Sequence, residues 1–542
     1  MTASSLSMTT YLILTQVSSR ALTFLGNQIL LRFLSPTLLG MAVQLELLSV
    51  TVLYSARESL RVALQRRPKA SNHADAEKDE SSATNRGQST VNLAYLVIAV
   101  GLLLGLISGV SYFLKANAKV LLNPDFNTAF AIYSVATVIE LFAEPSFLII
   151  QQDAMSAARA KAETVAAIAR CLSSCGTAVV LRYTGQVSSV LPFAIGQLAY
   201  ASVLFSMYYA AAQAVSRHQH FRLLPVPIGG PEYLLTLFNK PIVYLASTMY
   251  VQSIFKLLLT EGDAFILSAF SSLADQGSFH LAANYGGLLA RLIFQPLEEG
   301  SRNIFGRTLS ATTVPSASTT NIQTALSHLS SLVHFYLLAA CPLVTLAPRL
   351  VPLLSSFLFS SAFRTPGITS LLSTYIYYIP FMAVNGILDA FVTCIATSAQ
   401  FRLQSVFMAL FTVLYALVAW ALLQKLELGA PGLVWANIFN MTMRIAWSCW
   451  FITSWIKQQY GDMGKKKAKA FWSECLPHPS VLLAAVAVSG IRLAGTGQPN
   501  HFVNTVTSNT TQATNPTAAD RDLDVRKLID LVAQVALFAV TM

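Results

Sequence analysis

The residues of this chain best placed to do chemistry are charged and amide side chains set inside long apolar runs. At 100° per residue, spacings of 3, 4, 7 and 11 share one face of a helix. Gln16, Arg20, Thr23 and Asn27 fall on one such line, and Tyr133, Thr137, Glu140 and Glu144 on a second. Asn284, Arg291, Gln295, Glu298 and Arg302 form the longest. Tyr378, Asn385 and Asp389 align beside Pro380, a kink site, and Asn437, Asn440 and Arg444 share one side of a further run. An ionised group at the centre of a membrane helix costs about 2.5–3.5 kcal/mol, so each of these must face protein or water. Two chemistries fit: interhelical hydrogen bonds and ion pairs that lock a bundle, or the polar lining of a shared cavity. Stripes on runs from both halves of the chain favour the cavity.

Two smaller groups stand beside the stripes. Arg57 and Arg61 lie one turn apart at the end of an apolar run. They suit either anchoring at a positive membrane face or bidentate capture of an anionic head group. Lys256, Glu261 and Asp263 surround Thr260-Glu261-Gly262-Asp263, which suits a solvated turn, a gate, or a pairing of the acids with Lys256.

Enzyme signatures are missing. Gly464-Lys465 has neither the upstream glycine nor the following Ser/Thr of a Walker A loop. His218 and His220 sit in a basic connector without zinc spacing, and a glycosyltransferase's first lumenal loop would carry acids where residues 32–37 have none. Cys171, Cys175, Cys341, Cys394, Cys449 and Cys475 read as small buried apolar side chains, with no disulfide framework. No catalytic residue, metal or cofactor is expected.

The elements that must hold these residues follow from composition. Of 542 residues, 54% are hydrophobic and 11% charged, against roughly 25% charged in a soluble domain; mean hydropathy is +0.55. Lipid is the solvent such a chain needs, and its apolar runs of about twenty residues indicate helices rather than barrel strands. Spans are expected near 8–31, 37–60, 91–114, 126–150, 163–182, 188–212, 233–259, 277–301, 323–347, 368–396, 403–424, 430–456, 477–494 and 525–542. The first is read as retained, not as a cleaved signal.

The expectation is an all-α membrane protein of about fourteen transmembrane helices, in two six-helix lobes around a central cavity plus two C-terminal helices. The N-terminal lobe covers 1–212, with a disordered cytoplasmic loop at 68–90. A connector follows at 213–232, then a C-terminal lobe at 233–456, then a basic loop and two helices at 457–542. The formal charge of +11 sits mainly in alternate connectors, beginning with 61–90. That places those connectors and both termini in the cytoplasm and argues against a nucleic-acid partner. The sequon at Asn509 then faces the lumen.

Several stretches carry a resemblance. They are SSRALTFLGNQILLRFLSPTLLG from Ser18, LYSARESLRVALQR from Leu53, IELFAEPSFLIIQQ from Ile139 and KLLLTEGDAFIL from Lys256. The longest is LADQGSFHLAANYGGLLARLIFQPLEEGSRNIFGR from Leu273. Through them the chain resembles the Rft family of oligosaccharide-lipid translocation proteins of the endoplasmic reticulum, from Ser18 to about Trp450. The loop at 68–90 and the tail after Gly461 match only loosely. The family belongs to a superfamily of multidrug and lipid-linked polysaccharide exporters, which implies two six-helix lobes around a V-shaped cavity.

The implied role is to carry dolichol pyrophosphate, bearing a mannose–N-acetylglucosamine oligosaccharide, from the cytosolic to the lumenal leaflet for N-glycosylation. Arg20, Arg57, Arg61 and Arg291 would then compensate the phosphates, while Asn, Gln, Tyr and carboxylate groups bind sugar hydroxyls. Alternating access between the leaflets needs no covalent step. Two other readings stay open: a non-transporting glycolipid-binding factor of the same pathway, and a cation-coupled exporter of small molecules with Glu140, Glu144 and Asp389 titrating. Oligomeric state is not legible.

Overall fold

A computed structural model describes residues 34–65, 76–115, 124–153, 155–185, 189–310 and 315–481, with a few isolated positions beside them. The expected spans at 8–31 and 525–542 and most of 477–494 lie outside the described residues, as do Arg20, Asn27 and Asn509. The chain divides into two compact units, Met1–Gly277 and Ser278–Met542.

The first unit contains α1 (Pro36–Gln65), α2 (Ala76–Lys115), α3 (Pro124–Phe142), α4 (Glu144–Gln152), α5 (Ser156–Tyr183) and α6 (Leu191–His218). A two-residue antiparallel hairpin, β1 (Tyr233–Leu234) and β2 (Phe238–Asn239), leads into α7 (Lys240–Phe270). Prolines place several starts. Pro36, Pro124, Pro192 and Pro241 each stand in the first turn of a helix, where a missing N–H costs nothing. Pro145 separates α3 from α4, because it has no N–H to offer the Leu141 carbonyl. Asn239 caps α7 by accepting the Ile242 N–H at 3.3 Å. Leu53 and Leu60 of α1, Leu93 and Val97 of α2, Phe147 of α4 and Met249 of α7 share one core.

The second unit holds α8 (Leu273–Leu289, beginning just before the division), a π-helical turn at Ala290–Phe294, and α9 (Gln295–Ser310). Next come α10 (Pro315–Leu358), α11 (Pro366–Ile395), α12 (Ser398–Trp420) and α13 (Gly429–Tyr460). Thr397 and Gln400 close a capping box on α12. Gly461 ends α13 with a φ of 50° and turns the chain into α14 (Gly464–Cys475). Phe305, Leu329, Ile387, Phe391, Phe451 and Phe471 are buried in one core.

Eight helices among the described residues are long and apolar enough to cross a bilayer, or nine if the bent pair Lys240–Leu258 and Thr260–Phe270 forms one span. This is an all-α multi-pass membrane protein.

Four boundaries differ from the sequence-based expectation. The segment 68–90, expected to be a disordered loop, is helical from Ala76 onward. Its polar side chains hold the connector. Thr84 donates to the Gln219 carbonyl at 2.8 Å, and Gln88 donates to the Leu224 carbonyl at 2.8 Å. Asn92, fully buried, donates to the Val226 and Leu237 carbonyls and accepts the Val226 N–H. Replacing Asn92 by alanine strands those three backbone groups, at roughly 1–3 kcal/mol. Hydrogen exchange at Val226 should speed up while α1 stays protected.

The basic loop at 457–476 is likewise mostly helical, because Ala468, Phe471 and Cys475 give it an apolar face. The division into compact units falls between Gly277 and Ser278 rather than in the connector, so α7 groups with α1. Finally, Thr260-Glu261-Gly262-Asp263 is not a turn but continues α7 beyond the bend.

Candidate functional site

In the first unit two charged rungs join α1 to the α3–α4 break. Arg57 stands 3.8 Å from Glu140, and Arg61 grips Glu144 through one edge of its guanidinium, Nε and Nη2 donating to the two carboxylate oxygens at 2.6 and 2.5 Å. Arginines one turn apart on α1 therefore meet glutamates one turn apart on the facing stripe. The rungs differ in kind. Glu144 is 2% exposed, and Arg61 also stacks 3.8 Å above the Phe147 ring, so this bidentate pair is locked. Arg57 is 26% exposed and only loosely held, at a distance too long for a hydrogen bond, while Glu140 accepts a hydrogen bond from Gln197 at 2.6 Å. Glu140 stays satisfied if Arg57 turns toward another anion.

Two more ion pairs flank the rungs. Arg170 of α5 lies 3.0 Å from Glu46 of α1, and Lys256 of α7 lies 2.7 Å from Glu58 of α1. Thus Lys256 pairs with Glu58 rather than with Glu261 or Asp263. Lys256 is 63% exposed, so Lys256→Ala should lower stability by less than about 1 kcal/mol; thermal unfolding of the purified variant checks this. Glu46, Glu58, Arg170 and Gln197 were missed from the sequence. The available signal was Arg170 and Glu46, each set deep inside an apolar run.

A groove of about 510 Å³ runs between α1, α2 and α3, lined by Leu48, Val52, Leu106, Val110, Phe130 and Leu141 among others. Its hydroxyls at Ser49 and Thr137 bond to each other at 2.7 Å. This mostly apolar groove suits hydrocarbon.

In the second unit the long stripe is interrupted. Pro296 lacks the N–H that would bond the Leu292 carbonyl, and the chain widens into the π turn at Ala290–Phe294. The extra residue shifts the register, so Asn284 on α8 and Glu298 on α9 do not continue one straight line. The Arg291 side chain lies outside the described residues.

Glu298 accepts from Arg302 at 2.8 Å, and Gln295 donates to Glu299 at 3.1 Å. The other Glu298 oxygen rests against Gly386 of α11, where an added Cβ would come within 2.8 Å of it. One turn on, Asp389 accepts from Gln404 of α12 at 2.9 Å, and Asn385 is buried on the same helix. The structure therefore brings Glu298 near the Asn385–Asp389 stretch. Asn440 and Arg444 are not joined to this group by any ion pair among the described residues. Arg444 Nε is buried without a hydrogen-bond partner.

Among the described residues no group of three or more His, Cys, Asp or Glu side chains is placed to hold a metal ion. None of the six cysteines forms a disulfide. Burial pushes the Cys475 thiol up to about 12, which leaves it unreactive.

The fold is that of the lipid flippases and multidrug transporters. It aligns with lipid II flippase MurJ in an inward closed conformation, at TM-score 0.54 and 12% identity, over 98% of this chain and 97% of that one. It also aligns with an inward-facing MATE transporter of the MOP superfamily, at TM-score 0.53 and 14% identity, over 83% and 95%. The family model for Rft protein matches residues 4–524, and the chain belongs to that family.

Relatives named Man(5)GlcNAc(2)-PP-dolichol translocation protein RFT1 span fungi and mammals. The protein from Yarrowia lipolytica is 31% identical over 91% of this chain and 75% of its own length. That from Saccharomyces cerevisiae is 29% identical over 84% and 83%, and that from Mus musculus 25% over 82% and 81%.

Proposed function

We propose that this chain translocates a dolichol pyrophosphate-linked mannose/N-acetylglucosamine oligosaccharide from the cytosolic to the lumenal leaflet of the endoplasmic reticulum membrane, for protein N-glycosylation. The observation that carries this reading is the match to the Rft family along nearly the whole chain, on a flippase fold. Both termini face the cytosol in this reading, and Asn509 faces the lumen. The transport is physical, by alternating access, with no bond made or broken.

The polar head is what cannot cross hydrocarbon unaided. Arg57 supplies the exchangeable cation: its loose contact to Glu140 gives way to a phosphate oxygen, and Gln197 keeps Glu140 hydrogen-bonded. Arg61 is held by Glu144 and Phe147 and positions this end of α1. Arg20 and Arg291 add positive charge, and Asn27, Asn284, Gln295, Asn385, Asn440 and Arg444 bind sugar hydroxyls and phosphate. Glu140, Glu298 and Asp389 accept from glycan hydroxyls, and Lys256, Glu261 and Asp263 mark the end of the polar path. The isoprenoid tail stays in lipid throughout.

Expression of this chain in Saccharomyces cerevisiae deprived of its own RFT1 protein tests the reading in a cell. Restored N-glycan occupancy of secreted glycoproteins is expected. Persistent underglycosylation, with the protein correctly inserted in the membrane, would count against it.

A further inference from the structure

Arg57, Arg61, Arg159, Arg170 and Lys256 of the first unit each stand against a carboxylate, but the densest run of positive charge in the chain has no such partner among the described residues. Lys465, Lys466, Lys467 and Lys469 of α14 are exposed, and no ion pair among the described residues includes any of them. One of the four, Lys467, stands 5.7 Å above the Tyr460 ring.

α14 is amphipathic, yet its apolar face is already covered. Gly464, Ala468, Phe471 and Cys475 follow one another at helical spacing on one face, and all are buried. Phe471 and Cys475 join the core that includes Ile452 and Ile456 of α13. Trp472 donates its indole N–H to Thr453 at 2.8 Å. The helix therefore does not need to insert into lipid; it is bolted to the end of α13, and its exposed surface carries the four lysines against a single carboxylate, Glu474.

Its neighbours set its depth. Tyr460 of α13 faces Lys467 of α14, and Trp455, Tyr460 and Trp472 pack, partly buried, against the same core. Aromatic rings beside basic side chains, where an apolar helix ends, mark the level of lipid head groups. A fixed row of strongly hydrated point charges at that level attracts head groups with net negative charge. Zwitterionic head groups gain nothing comparable.

We infer that α14 is a docking site for acidic phospholipid head groups, the phosphatidylserine and phosphatidylinositol class, in the leaflet it borders. This requires no transport and stands apart from the proposed translocation.

The test uses the full-length protein reconstituted in phosphatidylcholine vesicles, with spin-labelled phosphatidylserine or phosphatidylcholine as probe. The protein should enrich the acidic probe by about threefold or more over the neutral one. The K465Q/K466Q/K467Q/K469Q variant should bring the two probes to parity, and the matching four arginine substitutions should preserve the enrichment. An unchanged preference in the glutamine variant overturns the proposal. So does enrichment by the native protein that survives about 0.5 M salt, where surface charges are screened; this arm needs no variant to fold. Spin-labelled dolichyl phosphate separates the other source of lipid phosphate. If the glutamine variant loses that probe but keeps phosphatidylserine, α14 serves the substrate and the acidic-phospholipid assignment is wrong.

Discussion

Arg61→Ala should destabilise the first unit by roughly 3–5 kcal/mol, the usual cost of leaving one partner of a buried ion pair unmatched. Glu144 is 2% exposed and takes both of its charge-assisted hydrogen bonds from Arg61. Without the guanidinium, its carboxylate must either stay charged in a dry site or take up a proton. The stacking contact on Phe147 disappears as well. Thermal unfolding of the purified variant in detergent should show a clear drop in Tm. The paired replacement Arg61→Met with Glu144→Leu removes the charge from both sides, and should recover much of the loss. If the single and double variants are equally unstable, the pair is not what holds this corner.

Arg57→Ala should behave in the opposite way. It removes a cation that is 26% exposed and whose one ion pair among the described residues is 3.8 Å long, and Glu140 keeps its bond from Gln197. Stability should change little. If Arg57 meets a phosphate during transport, the loss is one charge-assisted interaction, about 1.5–3 kcal/mol. That corresponds to a tenfold or greater fall in translocation rate. Arg57→Lys should retain part of the rate, since the charge remains and the bidentate geometry does not. A full-speed Arg57→Ala variant would remove this residue from the transport path.

The contrast between these arginines shows where sequence reading stopped. Both residues, and both glutamates opposite them, stand out in the sequence because charge inside an apolar run is costly. Their pairing is not legible, since it depends on how α1 and the α3–α4 break are rotated against each other. The apolar runs themselves were readable, because lipid imposes one length and one hydrogen-bonding solution on every span.

Polar composition misled at 68–90. Asp75, Glu77, Asp79 and Glu80 among Ser, Asn and Lys suggest a solvated loop there, yet Thr84 and Gln88 further along the same stretch bind the backbone of the connector. The π turn before Pro296 was also hidden: one extra residue leaves the apolar pattern almost intact while moving Glu298 off the line of Asn284. Glu46 and Arg170 were overlooked although Arg57 stands 11 residues after the first and Glu163 7 residues before the second. Each finds its partner on another helix.

The most direct measurement is leaflet-resolved movement of the glycolipid in sealed vesicles. Purified protein, reconstituted at about one copy per vesicle, is given dolichol pyrophosphate-linked oligosaccharide, and a lectin outside captures the molecules that reach the outer leaflet. The account predicts that vesicles containing the protein expose the inner pool far faster than protein-free vesicles, and that Arg57→Ala slows this exposure. Equal rates with and without a correctly folded protein would contradict it and leave a glycolipid-binding role in its place.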